Sequence, residues 1–262
     1  MMLENKNAII YGAGGAIGGA VARTFAREGA RVFLAGRTRE NLDMVAKDIT
    51  GAGGSAKVAV LDALDERAVD EHARAVASEA GSIDISLNLI TRGDVQGIPL
   101  VEMTTADFTR PITTGITTNF LTAKAAARQM IQQGSGVILA LDSGSAIGSP
   151  MMGGTGPADA AIDTLVRNLA AEAGPHGVRV LGIWTAGIPE TLSPAKLAAV
   201  NSDMTMDDAA FQGLLDHLAQ MRMLRRSPTL AQVAATAAFL ASDRAGAITG
   251  TFINVTSGIF PS

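Results

Sequence analysis

Seven short runs of β-branched and apolar residues alternate with longer stretches of helical period, and this alternation limits the chain more than any other feature. The runs are NAIIY (7–11), RVFLA (31–35), AKVAVL (56–61), DISLNLI (84–90), GVILAL (136–141), VRVLGIW (178–184) and TFINV (251–255). Helical stretches near 16–28, 38–50, 65–80, 105–133, 156–173 and 229–241 lie between them. Parallel neighbours need a crossover long enough for a helix, so the pattern predicts an α/β chain with a doubly wound, seven-stranded parallel sheet flanked by helices. In the first helix Val21, Ala22, Phe25 and Ala26 share one face while Arg23, Arg27 and Glu28 lie opposite, so that helix is expected to pack on the sheet.

Segment 187–228 breaks the rhythm. It holds no strand and carries Met204, Met206, Met221, Met223, Phe211, Leu214 and Leu215, which predicts a helical lid. No linker, repeat or low-complexity tract divides the 262 residues, so a single domain, 1–262, with the lid as an insertion is expected.

The first strand runs into GAGGAIG (12–18) and then a helix. Gly12 suits the tight turn, Gly14 and Gly15 let backbone approach a pyrophosphate, and Gly18 lets the helix pack close to the strand. The unpaired N–H groups at the helix start then face the phosphates. Strand, turn and helix together predict a Rossmann-type dinucleotide site. At the end of the second strand, where an acid would bind a ribose 2′-hydroxyl, stand Gly36 and Arg37. A guanidinium pairs with a 2′-phosphate that an acid would repel, so NADP(H) is favoured over NAD(H), with Arg39 as a helper.

Several other classes of function are excluded. The net charge is -4, and the densest basic patch, MRMLRRS (221–227), reads as a solvated loop, so no nucleic-acid partner is expected. The chain has no cysteine, hence no disulfide or thiol chemistry. No apolar run approaches the ~18 residues of a membrane span, and MMLENKNAII carries no targeting pattern, so no membrane association and a cytoplasmic location are expected. His72, His176 and His217 stand apart from one another and from carboxylates at ligand spacing, so no metal is expected.

From residue 6 to about 255 the chain resembles the short-chain dehydrogenase/reductase family. YGAGGAIGGAVARTFAREGA (11–30) is similar to its cofactor turn, VAVLDALD (58–65) to its adenine-contacting segment, and LAAEAGPHGVRVLGIWTAGIPET (169–191) to its sixth strand and the turn beyond. SPTLAQVAATAAFLASDRAGAITGTFINV (227–255) resembles its last helix and strand. The resemblance implies cofactor contacts from Gly12, Gly14, Gly15, Ile17, Gly18, Arg37, Asp62, Asn88, Gly187 and Ile188. It also implies a small-molecule substrate and a homo-oligomer, dimer or tetramer, formed through the helices at 105–133 and 156–173. Ile116, Phe120, Ile162 and Leu165 supply apolar surface there.

In that family a tyrosine, a lysine four residues later, a serine and an asparagine carry proton transfer. Registering GTGPADAAIDTLVRNLA (154–170) on the catalytic helix puts Thr155 at the tyrosine place and Asp159 at the lysine place. Ser143 keeps the serine place, Gly115 stands at the asparagine place, and Asn119 lies one turn further on. Thr91 replaces a usual glycine after the fourth strand. No other register supplies a tyrosine, because Tyr11 is the only one and it sits under the cofactor turn.

An aliphatic hydroxyl lies too far from the working pH range to serve as general acid. Three readings remain open. Hydride transfer can use another proton source, Asp159, Asp142 or water; the substrate can be an activated alkene or an imine that needs no strong acid; or the chain can bind NADP(H) without catalysis. The expectation is an atypical NADP(H)-dependent oxidoreductase acting on a small apolar carbonyl, imine or activated alkene through Ser143, Thr155 and Asp159, with the inert binder as the alternative.

Overall fold

The computed structural model describes residues 1–201 and 204–259. Its sheet contains β1 (Asn7–Tyr11), β2 (Arg31–Gly36), β3 (Ser55–Val60), β4 (Ile85–Asn88), β5 (Gly136–Asp142), β6 (Val178–Trp184) and β7 (Phe252–Asn254). All pairs are parallel, in the order β3-β2-β1-β4-β5-β6-β7. The order reverses between β1 and β4. A crevice opens there beyond the strand ends, where sheets of this kind bind ligands.

Successive residues of each strand face opposite sides, and helices cover both. Ile10 and Leu34 turn toward α1 (Ala16–Arg27), α2 (Arg39–Gly51) and α8 (Leu230–Ala241), meeting Val21, Phe25, Leu42 and Leu240. Ile9 and Phe33 turn the other way, into the layer of α3 (Glu66–Ala80), α4 (Thr105–Gln133) and α5 (Thr155–Ala173), meeting Val69, Met130 and Val166. Ile162 belongs to this second core and has no exposed surface, so it does not add to an outer apolar face as expected. Phe120 does; it is exposed on α4.

β4 ends at Asn88, two residues before the sequence pattern suggests. The Asn88 side chain accepts from the Ile90 amide at 3.0 Å and donates to the Thr122 hydroxyl at 3.1 Å. This local turn takes up backbone groups that would otherwise continue the ladder, and sends residues 89–97 across the crevice.

The 187–228 segment contains α6 (Pro194–Val200) and α7 (Asp208–Gln220) and no strand among its described residues. It is fastened through Arg222, which is buried rather than solvated as expected for the basic patch. Its guanidinium donates to the carbonyls of Thr256 (3.1 Å), Ala186 (2.8 Å), Gly187 (3.2 Å) and Leu218. One cation thus satisfies carbonyls from three stretches of chain that no helix or strand pairs. Arg222→Met would leave those acceptors buried without donors and should cost about 3 kcal/mol. A lowered denaturation midpoint, with faster amide exchange in 187–228, is the expected result.

Candidate functional site

Beyond the ends of β1, β2 and β4 lies a cleft of about 230 Å³, bordered by the glycine turn, Arg37, Thr38, Asn41, Asp62 and Thr91. Gly12 takes φ +78°, and a Cβ on it would stand 2.4 Å from the Leu89 carbonyl oxygen. A Cβ on Gly18 would stand 2.2 Å from the Gly12 carbonyl oxygen, so only glycine lets α1 approach the turn this closely. Gly15 caps α1 without a side-chain hydrogen bond. The first-turn amides are therefore left to a ligand, and a pyrophosphate fits this cradle.

Gly14, Gly15, Arg37 and Asp62 border the cleft. Ile17 packs against the core behind the turn. Asn88 is occupied in ending β4, and Gly187 and Ile188 lie by Arg222, away from the cleft lining. Arg37 is exposed and, among the described residues, pairs with no acid. Arg39 does not share that freedom: it bonds Asp43 at 2.8 Å, one turn along α2. Thr38 and Asn41 border the cleft with Arg37.

The lone tyrosine lies in the cleft wall, under the glycine turn. Tyr11 is buried with its hydroxyl unpartnered, edge-on to His72 at 6.0 Å between ring centroids. Burial drives its phenol far above the ordinary range and the His72 imidazole down to about 4.

Beside the cleft, on the far side of Thr91, a polar cluster joins the 89–97 loop, the end of β5 and the start of α5. Its centre is Asp159, which has no exposed surface. Its Oδ1 accepts from Arg92 Nη1 at 2.6 Å, and its Oδ2 from Ser143 Oγ at 2.6 Å and from the amides of Ser143 (3.2 Å) and Ser145 (2.9 Å). Asp159 is an acceptor in all four contacts, the pattern of an ionised carboxylate. The other arm of the guanidinium reaches Asp94 at 3.3 Å, and Asp94 accepts from the Thr155 hydroxyl at 2.9 Å. Ser143, Thr155 and Asp159 are thus brought together, with Arg92 and Asp94 as the link.

Arg92 reaches Asp159 by crossing α4 at Gly115. A Cβ there would lie 2.7 Å from Arg92 Cδ. Asn119 is turned inward, its amide donating to the Gly115 carbonyl at 2.9 Å, and takes no part. Arg92, Asp94 and Ser145 were not singled out from the sequence. The one available signal was a charged pair, Arg92 and Asp94, directly after a strand end, where α/β sheets keep their functional loops.

Asp142, behind the cluster, is buried. Its Oδ1 accepts from the Gly144 amide at 2.9 Å, whereas Oδ2 finds no ordinary donor and meets the Asp163 carboxyl. Two carboxyls bond only if one keeps a proton. Burial, then the charges of Asp159 and Asp163, push Asp142 up to about 9.

The chain matches, over residues 12–259, the family model described as enoyl-(acyl carrier protein) reductase. It is 30% identical over 259 residues to 7alpha-hydroxysteroid dehydrogenase of Escherichia coli, covering 98% of this chain and 95% of that one. With gluconate 5-dehydrogenase of Gluconobacter oxydans it shares 28% over 258 residues, 98% and 95% of the two chains. The solved structure of NAD+-bound xylitol dehydrogenase superposes with a TM-score of 0.88 at 25% identity, covering 98% and 100%. The chain belongs to the short-chain dehydrogenase/reductase family, whose members are oxidoreductases.

An acid whose folded value exceeds its unfolded one binds more protons when folded, so its contribution to stability declines as pH rises between the two. For Asp142 that window runs from the ordinary 3.8 to about 9. Asp142→Asn keeps the bond from Gly144 and offers Asp163 an N–H. Its thermal midpoint should exceed that of the native protein at pH 8 and vary less across the window, as calorimetry at a series of pH values will report.

Proposed function

We propose that this protein is an NADP(H)-dependent oxidoreductase that passes hydride without the phenol and ammonium of its family, Thr155 and Asp159 standing in their places. The observation that carries the cofactor reading is the exposed, acid-free Arg37 at the cleft, beside the start of α2, with Gly36 where an NAD site keeps an acid. Arg37 and Thr38 would hold the 2′-phosphate, Asp62 would meet the adenine, and the amides after Gly15 would take the pyrophosphate. Ile17, Asn88, Gly187 and Ile188 would support the walls of this site from behind. When bound, the dinucleotide supplies or accepts a hydride at its nicotinamide.

The chain's own residues orient and shield. Ser143 and Thr155 are fixed by Asp159 and Asp94, and segment 187–228 closes over a small apolar substrate, a carbonyl, an imine or an activated alkene. In this reading 1–262 is one domain, working in the cytoplasm as a dimer or tetramer.

One observation favours a second reading, an inert NADP(H) binder: Ser143, Asp159, Arg92, Asp94 and Thr155 satisfy one another. Calorimetric titration with NADPH and NADH, followed by hydride turnover on ketone, imine and enone panels, separates the two. Turnover supports the oxidoreductase, binding without turnover the inert binder, and absence of binding refutes both. Arg37→Ala should weaken NADPH about tenfold or more, the loss of a charge-assisted bond, and leave NADH affinity unchanged; equal losses for both would remove Arg37 from the 2′-phosphate.

A further inference from the structure

Apart from the Gln96 amide, which donates to Thr155 Oγ at 3.3 Å, the donors of the polar cluster are spent on its own carboxylates and hydroxyls. The Ser143 hydroxyl gives its hydrogen to Asp159 at 2.6 Å, and the Thr155 hydroxyl gives its own to Asp94 at 2.9 Å. Ser145 Oγ lies 2.7 Å from Ser143 Oγ and, that proton being committed, acts as the donor between them. Both arms of the Arg92 guanidinium face carboxylates, at 2.6 Å and 3.3 Å. A neutral carbonyl needs the reverse arrangement, donors aimed at the oxygen on which negative charge develops.

The charges agree with the hydrogen bonds. Two carboxylates, Asp94 and Asp159, face one guanidinium, leaving an excess of one negative charge. Asp163 is matched by Arg167 at 3.3 Å, and Asp142, held up to about 9, adds no charge at neutral pH. Asp159 is wholly covered, whereas Asp94 keeps 20% of its side chain exposed. Of the cluster's charged groups Asp94 is the most open, the Arg92 side chain keeping 12%.

We propose that the hydride acceptor is a cationic carbon–nitrogen double bond, an iminium ion, held against the Asp94 carboxylate. The proposal rests on the cofactor reading above and narrows its substrate class. The step balances without an acid. The iminium carbon gains a hydride with its electron pair from a dihydronicotinamide, the π pair of the C=N bond becomes a lone pair on nitrogen, and a neutral amine and NADP+ result. No proton moves, so the burial of the only phenol under the cofactor turn does not obstruct the reaction.

The test uses two bicyclic probes of similar size, N-methyl-3,4-dihydroisoquinolinium and the neutral ketone 1-tetralone. Calorimetry on the full chain saturated with 1,4,5,6-tetrahydro-NADP, whose ring is neutral and gives no hydride, should show the cation bound about tenfold more tightly, as expected for one interaction with a charged group. Asp94→Asn should abolish that preference and Asp94→Glu restore it, both with an unchanged affinity for tetrahydro-NADP. With NADPH in place, the iminium should be reduced with a higher kcat/KM than the ketone. Equal or tighter ketone binding, faster ketone reduction, a bound cation that is never reduced, or a preference surviving in Asp94→Asn would each overturn the proposal. Failure to bind tetrahydro-NADP or NADPH in the same titrations is a separate result, and it refutes the cofactor reading together with this one.

Discussion

A carboxylate sealed from solvent has to be compensated where it stands, and Asp159 is compensated from two directions. Arg92 arrives from the loop after β4, Ser143 and Ser145 from the end of β5, and the carboxylate itself rides on α5. Removing Arg92 would strand a buried charge, which costs about 3–5 kcal/mol where such pairs have been broken. The loops around the crevice are consequently held by electrostatics where short backbone ladders could not hold them. The early end of β4 at Asn88 releases the loop that delivers Arg92, and the absence of a side chain at Gly115 gives that arginine its path.

The crevice thereby divides into two regions of opposite character. On the β1–β2 side are uncapped amides, an exposed guanidinium and glycines that admit close approach, a surface made for phosphates. On the β5–α5 side are carboxylates and hydroxyls whose hydrogens turn inward. Thr91 belongs to the first region and Arg92 to the second, so adjacent residues join a place suited to anions to one that favours positive charge.

The sequence shows the first region far better than the second. Strand alternation and the glycine turn are local patterns, readable because pleat, helix period and left-handed turns each need particular residues at fixed spacing. Arg37 followed from its position after β2, and Asp62 from the family resemblance of residues 58–65. The second region is assembled from residues 92, 94, 143, 155 and 159, whose meeting depends on tertiary contacts with no local spacing rule. Arg222 was misread for the same reason: a basic run looks solvated until carbonyls from distant segments converge on it. Asn119, one turn beyond the position of Gly115, has its amide spent on its own helix.

Gly115, Arg92 and Asp159 also depend on one another. Any side chain at 115 intrudes on the arginine stem, and a lysine at 159 would set ammonium against guanidinium in a space closed to water. Replacing one of the three alone therefore disturbs the other two. A side chain at 115 brings a collision and a cation at 159 an unanswered charge, so the three positions tolerate concerted change better than single replacement.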